Sequence, residues 1–95
     1  MNAQVVTAQF QPGQVEKGVR EFRDHVVPRI REHSGFKGAL MLTDSSTGKM
    51  IALTLWETEA ELKATESSFQ ESVARVGQGL AGPPTRELYD VSVQA

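Results

Sequence analysis

The 95-residue chain predicts an α+β fold, an antiparallel sheet with two helices on one face. Three observations carry this. Short stretches alternate apolar residues with a period of two, longer stretches repeat them every three or four positions, and turn-forming clusters separate the two kinds.

Residues 4–10 form the first strand, with Val6, Ala8 and Phe10 on one face and Val5 and Thr7 on the other, and "QPG" stops it. Beyond Gly13, apolar residues recur at Val15, Val19, Phe22, Val26 and Ile30, one stripe of an α-helix. Pro28 has no N–H to give, and it disfavours helical angles at Val27, which predicts a kink or a short second segment. The helix should end near "HSGF", with Gly35 supplying the left-handed cap. Residues 36–43 read as the second strand, "DSSTG" as a turn, and residues 49–56 as the third strand. The third strand carries Ile51, Leu53 and Leu55 on one face and Met50, Ala52, Thr54 and Trp56 on the other. Neither face is polar, so both should be covered.

Thr58 and Glu61 have capping-box spacing and open a second helix running to about Val76, with Leu62, Phe69, Val73 and Val76 as its stripe. The "TESS" in its middle weakens that stripe. "GQGLAGPP" ends the helix, and residues 86–93 form a fourth strand in which Tyr89, Val91 and Val93 alternate with Leu88, Asp90 and Ser92.

The order is β-α-β-β-α-β, the split βαβ or ferredoxin-like arrangement, expected as a single domain over residues 1–95. Two helices cover one side of such a sheet. Apolar positions on the other side predict a homodimer whose sheets pack face to face. Chain length points the same way: a domain this short buries only ~60–65% of its unfolded surface, and there is no cysteine for a disulfide. The formal charge of -2, with acids and bases interspersed, offers no basic stripe for nucleic acid. No signal-like start and no apolar run near the ~20 residues that span a bilayer are present, so the expectation is a cytoplasmic protein without membrane partners.

Few residue patterns suggest chemistry. His25 and His33 lie eight apart on the first helix, about 12 Å along its axis, too far for one metal ion. No serine occupies a G-x-S-x-G turn. "GQGLAG" follows a helix and precedes a strand, the reverse of a phosphate-binding loop. Glu59 and Glu61 complement the positive end of the second helix. Trp56 is the exception. It is the only tryptophan, placed at a strand end where its ring can pack in the core while its indole N–H, a donor only, reaches a partner. That partner is either a ligand carbonyl or the protein's own backbone.

The stretch "HVVPRIREHSGFKGALMLTDSSTGKMIALTLWETEAEL" resembles the antibiotic biosynthesis monooxygenase family of dimeric α+β barrels, and the likeness covers nearly the whole chain. Its most specific parts are the late proline of the first helix, "SGFKG", "LWETEAEL" and "GLAGPP". The resemblance implies a pocket between sheet and helices and oxidation of a small aromatic, quinol or polyketide-type substrate by O2, with no cofactor, metal or flavin. Trp56 matches the family's strand-end tryptophan, a donor to a substrate carbonyl in anthrone-oxidising members. Those members also carry an asparagine four residues earlier and a tyrosine six later, where this chain has Ala52 and Leu62. Haem-degrading relatives use a histidine and a tryptophan on the second helix and an asparagine on the first strand, whereas this first strand offers Thr7 and Gln9. The expected catalytic set is Trp56, Arg75 matching a late-helix arginine, and His25 as a base. Thr7, Gln9, Thr54, Phe22, Phe69 and Arg86 form the expected substrate-binding set. The alternative reading is a non-catalytic dimeric module that binds a small molecule or supports a pathway.

Overall fold

The computed structural model describes residues 1–95 in the order β1 (Asn2–Gln9), α1 (Val15–Glu21), a π turn (Phe22–Val26), α2 (Val27–Ile30), β2 (Phe36–Asp44), β3 (Lys49–Trp56), α3 (Glu59–Lys63), α4 (Glu66–Val76) and β4 (Thr85–Asp90). The strands form one antiparallel sheet in the order β2-β3-β1-β4. This is the ferredoxin-like α+β arrangement.

Alternation along the two central strands decides what lies where. On β3, Met50, Ala52, Thr54 and Trp56 are buried beneath the helices while Ile51, Leu53 and Leu55 point the other way and stay half-exposed. Gln4, Val6 and Ala8 of β1 share the buried face, Gln4 directly opposite Thr54 and Val6 opposite Ala52. Val26, Ile30, Leu62, Val76 and Leu80 close the core over them. The second face has no helix across it. Leu40, Leu42 and Tyr89 lie there at 54%, 52% and 49% exposure, a set of large apolar side chains bare in the single chain.

Four element boundaries depart from the sequence reading, each for a local reason. The first helix does not simply kink at Pro28: a π turn precedes it, in which the Val27 N–H donates to the Phe22 carbonyl five residues back. Pro28 has no N–H for the next rung, and the extra residue of the π turn absorbs that gap. The second helix is two, α3 and α4, because the buried Thr65 hydroxyl donates to the Leu62 carbonyl at 2.6 Å and competes with continuous helix. β1 begins at Asn2, earlier than expected, since its first residues still find partners in Trp56 and Asp90. β4 ends at Asp90 rather than residue 93. The last ladder pair is Asn2 with Asp90, and after it the Val91 N–H reaches the Met1 carbonyl at 2.9 Å.

No helix is long and apolar enough to cross a membrane.

Candidate functional site

The junction after β3 sets the position of Trp56. Thr58 accepts the Glu61 N–H at 3.2 Å as the N-cap of α3. The Glu61 carboxylate does not return to the Thr58 backbone, as a capping box usually would; it accepts the Thr58 hydroxyl at 3.0 Å and the Ser34 hydroxyl at 2.7 Å. Those two hydroxyls, Ser34 first, hold the Glu61 carboxyl below its ordinary range. Gly35 lies alongside at φ +84°, where a Cβ would come within 2.4 Å of that carboxylate. Its carbonyl accepts the Glu57 N–H at 2.8 Å. The end of the first helix is thereby tied to the residues flanking Trp56.

The indole is 1% exposed. Phe36 and His33 meet it edge-on, with ring centroids 5.6 and 6.3 Å away. His33 Nε2 lies 2.6 Å from the Ser68 hydroxyl. The indole N–H donates to neither a backbone carbonyl nor open space: it ends on the Thr54 hydroxyl at 3.0 Å.

Between sheet and helices, beside this pair, lies a cavity of about 80 Å³. One ordered water needs roughly 10–15 Å³ by this measure, so the space is several waters in size. Phe22, Val26 and Ile30 form one wall, Met50, Ala52, Thr54 and Trp56 the floor, and Phe69 and Val73 of α4 the opposite wall. The polar lining groups are few. Thr65 and Ser72 donate to carbonyls of their own helical region, Leu62 and Ser68. Thr54 and Gln4 stand side by side on the floor. No ionisable side chain lines the cavity.

Arg86 reaches it only indirectly. Its Nε donates to the Gln4 carbonyl oxygen at 2.7 Å, its NH1 to Glu66 at 2.6 Å, and its guanidinium lies 4.2 Å from the centre of the Phe69 ring. The Gln70 amide first, and then Arg86, hold the Glu66 carboxyl below its ordinary range.

Of the residues expected at a site, the structure brings Trp56, Thr54, Phe22 and Phe69 together around the cavity, with Arg86 joined to it through Gln4 and Phe69. It separates the others from it. His25 falls on the solvent side of the π turn and is exposed. Arg75 projects toward α1, where its NH1 lies 3.7 Å from Glu21. Thr7 and Gln9 are one residue out of phase with Val6 and Ala8 and so occupy the opposite face of β1; the Gln9 amide donates to the Thr47 carbonyl. Gln4, which the sequence reading did not single out, is on the cavity side. The signal was available in its even spacing from Val6 and Ala8. No group of three or more His, Cys, Asp or Glu side chains gathers as metal ligands would.

No profile of a known protein family matches the chain. Two uncharacterised Mycobacterium tuberculosis proteins, Rv2558 and Rv2557, are 30% and 27% identical to it over 91 and 90 residues, which is 96% and 95% of this chain but 39% and 40% of theirs. The chain thus spans about two fifths of the length of the curated relatives it matches. Solved structures agree in fold. An antibiotic biosynthesis monooxygenase superposes with a TM-score of 0.78 at 16% identity, over 98% of this chain and 100% of that one. The monooxygenase of Streptomyces coelicolor gene ActVA-Orf6, solved with nanaomycin D, does so at 0.78 and 22% identity over 99% and 89%. Rv0793 of Mycobacterium tuberculosis follows at 0.78 and 14% over 99% and 97%. The chain has the fold of the antibiotic biosynthesis monooxygenases.

Proposed function

We propose that this chain is a cytoplasmic, homodimeric oxygenase that uses O2 to oxidise a small aromatic, quinol or polyketide-type substrate held beside Trp56. The observation that carries this reading is the cavity itself: an apolar, ring-walled space bounded by Phe22, Phe69 and Trp56, opening beside only two side chains suited to hold a ligand oxygen. The shared fold adds an associational argument of lesser weight.

In the reaction proposed, the substrate anion passes an electron to O2. The resulting pair recombines by forming a C–O bond, and the hydroperoxide then loses water to leave a carbonyl. One oxygen atom stays in the product; the other departs as water with two hydrogens from the substrate. The protein's part is to exclude solvent and to hold the substrate's negative oxygen. With no ionisable group in the lining, no side chain there can take the first proton. The substrate must therefore ionise through its own acidity, which selects phenols and quinols over less acidic rings.

Two features favour a second reading, a binding or pathway-accessory module: the indole N–H is already engaged, and the cavity has no base. Oxygen uptake measured over a panel of anthrones, quinols and catechols decides between them. Uptake with label from isotopic O2 divided between product and water supports the oxygenase. Tight ring binding without uptake by any member supports the module.

A further inference from the structure

We infer that Gln4 and Thr54 together form a two-donor site for the anionic or carbonyl oxygen of a ring-bearing ligand, with Arg86 and Trp56 as the positioning residues behind them. This rests on the reading of the cavity as an aromatic site and names the group by which it would recognise its ligand.

The inference follows from which atoms can donate. An indole N–H only donates, so the 3.0 Å contact from Trp56 uses an acceptor position of the Thr54 hydroxyl. The Thr54 proton has no acceptor in the protein and is left for the cavity it lines. A guanidinium likewise only donates, so the atom of Gln4 that meets Arg86 Nε at 2.7 Å is its carbonyl oxygen. The Gln4 amide nitrogen then points its hydrogens elsewhere, and it makes no hydrogen bond within the protein. Gln4 is 7% exposed and Thr54 8%. They are register partners on adjacent strands, which places their Cβ atoms about 4.5–5.5 Å apart on one face. Two donors, each with its acceptor side occupied by an obligate donor behind it, thus lie on adjacent strands of one otherwise apolar floor. Each chain of hydrogen bonds polarises its own donor, and Arg86 brings positive charge to the Gln4 chain without being part of the cavity lining. A negative oxygen attached to a flat ring fits this arrangement; a cation or an aliphatic chain does not.

The test uses 4-nitrophenolate and nitrobenzene, rings of similar size with and without the oxygen, and follows quenching of Trp56, the only tryptophan. The unmodified chain should bind nitrophenolate at least about tenfold more tightly than nitrobenzene. Thr54→Val keeps the shape and removes one donor together with the acceptor of the Trp56 N–H, a loss that the nitrobenzene comparison in the same variant controls for. Gln4→Glu keeps the contact to Arg86 and replaces the other donor with a carboxylate oxygen. Each should weaken nitrophenolate binding by about ten- to a hundredfold and leave nitrobenzene within about twofold, with Thr54→Ser restoring the first loss. Unchanged nitrophenolate affinity in Gln4→Glu and in folded Thr54→Val overturns the proposal. Nitrobenzene binding with no preference for nitrophenolate overturns the donor pair and leaves the aromatic cavity standing. Quenching by neither ring overturns the cavity reading and the donor pair with it.

Discussion

The indole N–H of Trp56 ends on the hydroxyl of Thr54 two residues earlier on the same face of β3, a buried bond of 3.0 Å. Trp56→Phe keeps an aromatic ring but removes the donor, and should lower stability by about 1–2 kcal/mol from the lost bond and reduced volume. Trp56→Ala should cost about 3–5 kcal/mol, as truncation of a core aromatic does. Urea unfolding checks both through the midpoint at constant slope. A Trp56→Phe midpoint equal to the parent's would mean that the Thr54 contact adds nothing.

The bare face of the sheet carries the second prediction. Leu40 and Leu42 of β2 stand opposite Leu53 and Ile51 of β3, with half or more of each β2 leucine exposed. An apolar surface of this kind on a small domain is best sheltered by its own copy. Sedimentation at micromolar concentration should find a dimer, and Leu42→Glu, which sets a charge on the β2 side of that surface, should give a monomer. A parent chain that sediments as a single protomer would remove the dimer.

How far the sequence could be read depends on the range of the interaction involved. β3 was legible to the residue, because its two apolar faces and the turn and cap that bound it are all encoded within a few positions. The Trp56 ring was placed correctly at the strand end for the same reason. The break at Thr65 was not legible from apolar spacing: it comes from one hydroxyl taking the Leu62 carbonyl, and Leu62 and Phe69 fit a continuous helix equally well. The face of Gln4 could be read from its even spacing to Val6 and Ala8, but the way its amide is turned depends on Arg86, 82 residues away, which only the completed sheet brings alongside. Arg75 and His25 have suitable chemistry, yet where they point is decided by helix phase and by the π turn, and neither can be judged from residue type.

Gly35 supplies a third prediction. At φ +84° an L side chain pays strain, and a Cβ there would also press on the Glu61 carboxylate. Gly35→Ala should therefore cost about 1–3 kcal/mol, lowering the melting temperature by roughly 4–8 °C per kcal/mol in a domain of this size. The strain sits where the first helix is tied to the Trp56 junction, so the Trp56 emission should shift as well. An alanine variant that melts with the parent would show that the turn relaxes freely.

The fourth prediction concerns acid. The Ser34 hydroxyl, and after it Thr58, hold the Glu61 carboxyl below its ordinary value of 4.5. The folded chain therefore binds fewer protons than the unfolded chain across the window just below that value. Stability from this group is complete above the ordinary value and drains away as pH falls through the lowered one. Glu61→Gln keeps the size of the side chain but removes this titration. At neutral pH it should melt below the parent; as pH is lowered from 7 toward 3 the two melting curves should converge, because the parent loses what the variant never had. The gap is expected to be small, since Glu61 faces solvent and water screens its interactions. Parallel curves separated by a constant interval over the whole range would assign the effect of Glu61 to shape alone and remove the carboxylate's link between Ser34 and Thr58 as a source of acid sensitivity.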